Sequence, residues 1–273
     1  MKKLLIIFLF LPSLVFSQEL KDFTKDPGYA KYSPSVDSIS FSLYGYEHYM
    51  PTSTCGEIIH YSNYSVSFCE EYRLSEWAIY YKDIHSSSGQ FGGFSRRGLN
   101  FIRDPKLNGR DANDGSYYKN PYDKAHLVPA ADMSHDYQSL KETFFYTNST
   151  SQHYSFNRGG MKELEKKIRQ WTEEIGTVAI ITGWVIEDDI DNYLWVGTPS
   201  IPVPNYYYKV FIDIQGNRSI AFLMPNEEIT KTLLEYVVSI DYLESVTGLD
   251  FFYKLSDEDE LSFEIDTPLP NQK

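Results

Sequence analysis

The sequence predicts one α+β domain, and three observations carry that expectation. The chain holds 23 Tyr and 17 Phe, with 42% hydrophobic residues overall; aromatics pack well on pleated surfaces and argue for a β-rich fold rather than disorder. Several short runs alternate or cluster as strands do, and one longer stretch repeats its apolar residues at helical spacing. No internal repeat or linker divides the 273 residues, a length that supports a sizeable core.

In chain order, Ile58–His60 and Ser65–Phe68 alternate, and Trp77-Ala78-Ile79-Tyr80-Tyr81 is a further strand, with Glu70-Glu71-Tyr72-Arg73 as the turn between the last two. Gly89–Gly98 is glycine-rich loop, and residues 104–122 are punctuated by Pro105, Gly109, Gly115 and Pro121. Asp111-Ala112-Asn113-Asp114-Gly115 hints at a calcium loop but fails its register, with Ser116 and Tyr122 at the sixth and twelfth positions. From near Gly160 to Ile175, Met161, Leu164, Ile168, Trp171 and Ile175 trace one face of a helix. Strands follow over Thr177–Thr182, Tyr206–Ile214 and Ser219–Met224, and a second helix is expected over Glu227–Tyr236.

The ends read differently. Lys2 and Lys3 precede the apolar run Leu4–Phe10, and Val15 and Ser17 stand where a signal peptidase wants small residues. Residues 1–17 are thus expected to be a bacterial Sec signal, sending the protein to the periplasm or the medium; the run is too short for a membrane anchor. Residues 18–54 read as an extended leader, 55–256 as the working domain and 257–273 as an acidic, exposed tail. In an oxidising compartment Cys55 and Cys69, the only cysteines, should form a disulfide closing a loop of about 15 residues, worth roughly 3 kcal/mol in the chain-entropy model.

The net charge of −13 is unusual for a protein that binds polyanions. Much of the acidity is local, at Glu173-Glu174, Glu187–Asp191 and Asp257–Glu260, which leaves room for a basic cleft. No phosphate-binding loop, dinucleotide fingerprint or cysteine-based zinc site is present.

The chemistry concentrates in Asp123-Lys124-Ala125-His126-Leu127-Val128-Pro129-Ala130-Ala131-Asp132-Met133, followed by Thr143–Asn148, Gln152 and Asn157-Arg158-Gly159-Gly160-Met161-Lys162-Glu163-Leu164-Glu165. Phosphodiester hydrolysis needs a base, a cation to stabilise the transition state and help for the leaving oxygen. His126 suits the base, since an ordinary imidazole titrates near neutrality; a lone histidine is otherwise more often structural. Asn157 offers a neutral oxygen to a hard cation such as Mg²⁺, or caps the following helix. Glu165 lies eight residues on, roughly 12 Å along an α-helix, too far to share one ion easily but able to hold a water on it.

This order and spacing resembles the DNA/RNA non-specific endonucleases. The likeness extends over roughly residues 55–255, through Trp77, Thr182-Gly183, Val203-Pro204 with Tyr206–Val210, and Ala221–Asn226. It implies a ββα-metal (His-Me finger) fold with a central, mainly antiparallel sheet flanked by helices. It also implies cleavage of DNA and RNA with little sequence preference, using one hydrated Mg²⁺ or another divalent ion such as Mn²⁺. By the same resemblance His126 is the general base, Asn157 binds the metal directly and Glu165 acts through metal-bound water. Lys124 and Asn148 join His126 and Glu165 as expected catalytic residues, although Asn148 also reads as a satisfied buried amide. Arg96, Arg97 and Arg169 are expected to face substrate, although Arg169 equally suits a surface pair with Glu165.

Two departures stand out. The family's Asp-Arg-Gly-His reads Asp-Lys-Ala-His, so Lys124 lacks arginine's bidentate fork, and Ala125 would resist a positive φ that glycine tolerates. Beside the nuclease stand two other readings: a weakened nucleic-acid or protein-binding module on the same scaffold, and a phosphodiesterase for smaller phosphoesters.

Overall fold

The computed structural model describes residues 48–84, 93–117, 122–185 and 193–264. The expected signal at 1–17, most of the leader, part of the glycine-rich loop and the end of the tail lie outside them. A sheet of seven strands runs in the order β1 (Glu57–His60), β2 (Tyr64–Cys69), β3 (Leu74–Lys82), β6 (Val178–Val185), β9 (Tyr206–Asp213), β10 (Arg218–Pro225) and β11 (Val237–Val238). Every pairing in it is antiparallel. Between β3 and β6 the chain forms a one-turn helix α1 (Asp114–Tyr117), β4 (Tyr122–His126), α2 (Tyr137–Glu142), β5 (Ser149–His153) and α3 (Lys162–Ile175). Short strands β7 (Trp195–Val196) and β8 (Ile201–Pro202) pair with each other, and α4 (Ile240–Thr247) and α5 (Asp257–Glu264) follow β11.

Residues of β3, β6 and β9 are buried almost throughout, because both faces of the sheet are covered. Strand alternation sends Trp77, Ile79, Ile181, Val210 and Ile212 to one face, where they pack with Ile240, Leu243 and Phe251. The opposite face carries Tyr80, Lys82, Thr182, Lys209 and Phe211, and α3 covers it through Trp171, whose ring lies 5.4 Å from that of Phe211 and 6.2 Å from that of Phe222. The five apolar positions predicted for this helix are all buried. Cys55 and Cys69 form a disulfide with Cα atoms 5.3 Å apart, fastening the segment before β1 to the end of β2.

One expectation about the elements is corrected. The helix expected over Glu227–Tyr236 is a single 3-10 turn, Leu233–Tyr236. Thr232 and Glu235 cap that turn reciprocally, so helix begins only there. Upstream, Ile229 lies against Gly160, where a Cβ would meet its side chain at 2.3 Å; packing holds this β-branched stretch off the helical path. The tail, expected to be acidic and mostly exposed, begins with α5. Ser256 caps it by accepting the Asp259 amide at 3.2 Å, and Phe263 is buried against Phe252, with ring centroids 5.1 Å apart.

Candidate active site

β4 and β5 form a two-stranded hairpin beside the main sheet, with His126 opposite Ser149 and Ala125 opposite Thr150. Ala125 is 1% exposed, lies in regular register and is not among the residues with positive φ. The positive-φ backbone that would have demanded glycine is absent here. Leu127 continues the ladder by donating to the Asn148 carbonyl at 2.9 Å.

The described contacts gather the predicted residues into two groups. In the first, the His126 ring sits between Phe101 and Phe144, at 4.6 and 4.9 Å between centroids. Phe101 is held there because Ile102 donates to the Phe144 carbonyl and Tyr146 donates back to the Ile102 carbonyl. Neither imidazole nitrogen of His126 bonds to another described residue, and Nε2 is fully buried. Burial, helped by the positive charge of Arg96, pushes its pKa down to about 3, so the ring is neutral and free to accept a proton. Arg96 and Arg97 are both exposed, and Arg96 is the one whose charge reaches His126.

Lys124 is engaged elsewhere. Its ammonium bonds Asp114 at 2.7 Å and lies over the rings of Phe101, Tyr146 and Tyr117 at 5.6, 5.6 and 6.0 Å. Asn148, expected among the catalytic residues and also as a satisfied buried amide, is placed behind the strand that carries His126. It is fully buried, its Oδ1 accepts the Val128 amide, and its Nδ2 donates to the Val128 and Thr143 carbonyls. All the hydrogen-bonding capacity of its NH2 group goes to fixing the loop after His126.

The second group lies around the start of α3. Asn157 is not a helix cap: it belongs to a π-helical turn, Phe156–Met161, that leads directly into α3. Such a turn fits more residues per revolution than an α-helix, which reduces the angle between Asn157 and Glu165 below the one an α-helix would give. Asn157 Nδ2 donates to Asp123 Oδ2 at 2.9 Å, which fixes the amide and leaves Oδ1 without a donor among the described residues. Arg158 grips both oxygens of the same carboxylate. Burial pushes Asp123 up, but the bonds from Arg158 and Asn157 outweigh it and hold its carboxyl below the ordinary value.

Glu165 faces the sheet and joins a buried cluster of charges. Burial raises its pKa, opposed by Lys209 and Arg169 and reinforced by Asp132. Arg169, expected to face substrate, instead bonds Asp132 at 3.3 Å. Asp132 is 2% exposed and also meets Lys82 at 3.4 Å and the Tyr80 hydroxyl at 3.0 Å. Lys209, lowered by burial and sustained by Glu165 and Asp132, donates to Thr182 Oγ1 at 3.1 Å and to the Leu127 carbonyl at 3.4 Å. This one ammonium therefore links the backbone just after His126 to the neighbourhood of Glu165. Sequence reading missed Lys82, Lys209 and Asp132. The available signal was a lysine inside an apolar strand, which is seldom buried without a partner.

Among the described residues no group of three or more His, Cys, Asp or Glu could hold a metal. A single-amide site is a different arrangement, and the chain offers it in Asn157 Oδ1, which accepts from no described residue while Nδ2 is held by Asp123. Neutral oxygens with few protein ligands suit a divalent ion that keeps most of its water.

A hairpin bearing the histidine, followed by a helix bearing the amide and the carboxylate, on an antiparallel sheet, is the ββα-metal nuclease fold. The DNA/RNA non-specific endonuclease family model matches residues 44–258, and the chain belongs to that family of nucleases. It is similar to the mitochondrial nuclease EXOG of zebrafish, 28% identical over 207 residues that make up 70% of this chain and 60% of the relative. The mitochondrial nuclease of Saccharomyces cerevisiae is 33% identical over 159 residues, 51% of this chain and 48% of that protein. The chain thus spans about half to three fifths of the length of these curated relatives. In fold it matches a chain from the crystal structure of an EndoG/EndoGI complex, with a TM-score of 0.68, 22% identity, and coverage of 76% of this chain and 91% of that one.

These relatives correct the expected localisation. A Sec-exported, periplasmic or extracellular bacterial protein was read from seventeen residues of basic and apolar composition alone. The relatives that name a compartment are mitochondrial nucleases. Composition of so short a segment does not by itself define a destination. No helix among the described residues is long and apolar enough to cross a membrane.

Proposed function

We propose that this chain is a divalent-metal-dependent endonuclease that hydrolyses phosphodiester bonds of DNA and RNA with little sequence specificity. The observation that carries the proposal is His126: a neutral imidazole whose Nε2 is buried and whose ring, packed against Phe101 and Phe144, makes no hydrogen bond to another described residue. A base of such low pKa is weak alone. It becomes effective when a phosphate brings negative charge close enough to offset Arg96.

Asn157 would ligate the cation, Mg²⁺ or an ion such as Mn²⁺, through Oδ1, with Asp123 and Arg158 fixing the amide and Glu165 serving the ion's hydration. Such a cation supplies positive charge to the phosphorane-like transition state and the leaving oxygen. His126 takes the proton of the attacking water, and Arg96 holds the phosphate near it. Lys209 and Arg169 oppose the upward shift that burial imposes on Glu165, and Asn148 holds the chain after His126 in place. The regular strand conformation of Ala125 supports an active enzyme over a weakened binding module, to the extent that backbone strain at this position was the objection.

The test is incubation of the full chain with plasmid and total RNA in Mg²⁺, Mn²⁺ or EDTA, beside an identically purified His126→Ala protein. Metal-dependent degradation of both polymers, reduced by about 10²–10⁴ in the variant, is the expected result. A folded wild type inert in every metal, or a variant as active as wild type, would overturn the proposal.

A further inference from the structure

We propose a binding subsite for an unpaired base of a single-stranded nucleic acid on the exposed aromatic ledge formed by Phe94 and Tyr137; it extends the nuclease reading to a preference among substrates. Both side chains are large, apolar and about half exposed, at 53% and 47%, and their rings meet at 5.4 Å between centroids with a tilt of 53°. Single exposed apolar residues are ordinary; two aromatic rings from separate segments, in contact and open to solvent, are not.

The ledge is built before any ligand arrives. Phe94 donates its amide to the Ser134 carbonyl at 2.7 Å. Tyr137 opens α2, whose first turn is capped by Asp136 accepting from the Ser139 amide. Beneath, Leu140, Phe144 and Ala130 pack with Leu99 and Phe101, and the two phenylalanines of that cluster hold His126. The ledge and the base thus share one apolar support.

Charge selects the ligand. On a chain of net charge −13, the exposed side chains around the ledge include Arg96, Arg97 and Lys141 and no carboxylate among Gly93–Arg97 and His135–Lys141 except the half-buried cap Asp136. Lys141 lies over the Tyr137 ring at 5.8 Å. Cations beside open π-faces match a phosphate backbone with bases free to stack. A duplex keeps its bases in their own stack and cannot use such a face without extruding one.

The experiment uses a dT10 oligonucleotide and a ten-pair blunt duplex as probes, in the full chain with His126→Ala to prevent cleavage. Fluorescence of an added Phe94→Trp substitution should be quenched by dT10 and little changed by the duplex. In the same background, Phe94→Ala with Tyr137→Ala should weaken dT10 binding by about 5- to 100-fold, the range of aromatic–base stacking, and leave duplex binding within about twofold. With His126 restored, the double variant should lose single-strand cleavage selectively. Equal weakening for both probes, or none for dT10 in a variant with wild-type melting behaviour, overturns the subsite. Failure of the nuclease reading is distinct: the parent chain then cleaves neither probe in any metal, and the binding arm still decides the ledge.

Discussion

The β4–β5 hairpin and the sheet face beneath α3 both bury polar groups, and they treat them in opposite ways. On the hairpin, His126 Nε2, Ser151 Oγ and Gln152 Oε1 are buried without partners. Beneath α3, Asp132 gathers Tyr80, Lys82 and Arg169, and Glu165 and Lys209 offset one another; Lys82 Nζ makes no hydrogen bond there but is ion-paired with Asp132 at 3.4 Å. Buried polar atoms are nearly always satisfied in folded proteins. A region that leaves several open is kept ready for an arriving group, whereas a region that closes its charges on one another is scaffold. The hairpin's open groups lie between His126 and Gln152, whereas the cluster draws on residues from Tyr80 to Lys209, so the distinction is one of pairing across the fold.

The largest expected effect separates the two regions by stability. Replacing Asp132 with Ala strands the buried Lys82 and removes the partner of the half-buried Arg169, and removal of one partner from a buried pair costs about 3–5 kcal/mol. Urea unfolding should show a midpoint far below wild type. A loss under about 1 kcal/mol would mean that water already solvates the cluster, and the contrast with the hairpin would disappear.

The next effect is set by pH. His126 has a folded pKa lowered to about 3, against an unfolded value near 6.5. The unfolded chain therefore binds the extra proton between those values, and stability falls as pH drops through that window. Between pH 7.5 and 4.5 the wild type should lose about 2 kcal/mol more than His126→Leu, read by urea unfolding at both pH values. Equal losses would show that the imidazole charges freely in the folded state and is not the closed-off neutral base described above.

Ser151→Ala should be smaller and of opposite sign to Asp132→Ala. Removing an unsatisfied buried hydroxyl relieves a desolvation cost and should leave stability unchanged or raise it by about 1 kcal/mol. A clear loss would reveal a partner for Ser151 Oγ and weaken the view of the hairpin as an open polar site.

Much of this was legible in the sequence, and the rest was not for identifiable reasons. The face of α3 followed from Met161, Leu164, Ile168, Trp171 and Ile175 because burial imposes a period that a one-sided pattern reveals. His126 and Asn157 stood out only as members of a spaced set. The π turn was not legible: Gly159-Gly160 pointed to a helix start, and the contact between Gly160 and Ile229 joins segments almost seventy residues apart. Lys82 and Lys209 read as strand residues of no special role, since nothing local shows that their partners, Asp132 and Glu165, come from a loop and a helix folded over the sheet. The Asp-Lys-Ala-His departure was visible, but whether Ala125 sits on strained backbone required its φ, which only the structure supplies.

That departure gives the smallest effect and the sharpest check on the hairpin. Ala125→Gly restores the residue of the family motif. If the position demanded an unusual backbone, the reversion would raise both activity and stability. Ala125 instead lies in a regular strand, buried and paired with Thr150. Glycine there adds conformational freedom to the unfolded chain and removes a packed methyl group, at a cost of about 0.5–1 kcal/mol. The expected outcome is a slightly lower urea midpoint and cleavage of plasmid within about twofold of the parent, since ΔΔG‡ below 0.5 kcal/mol is all that a backbone already in place leaves to gain. A rise of tenfold or more in activity would show that the methyl group obstructs the site, and that the hairpin is open in its polar atoms yet closed to substrate.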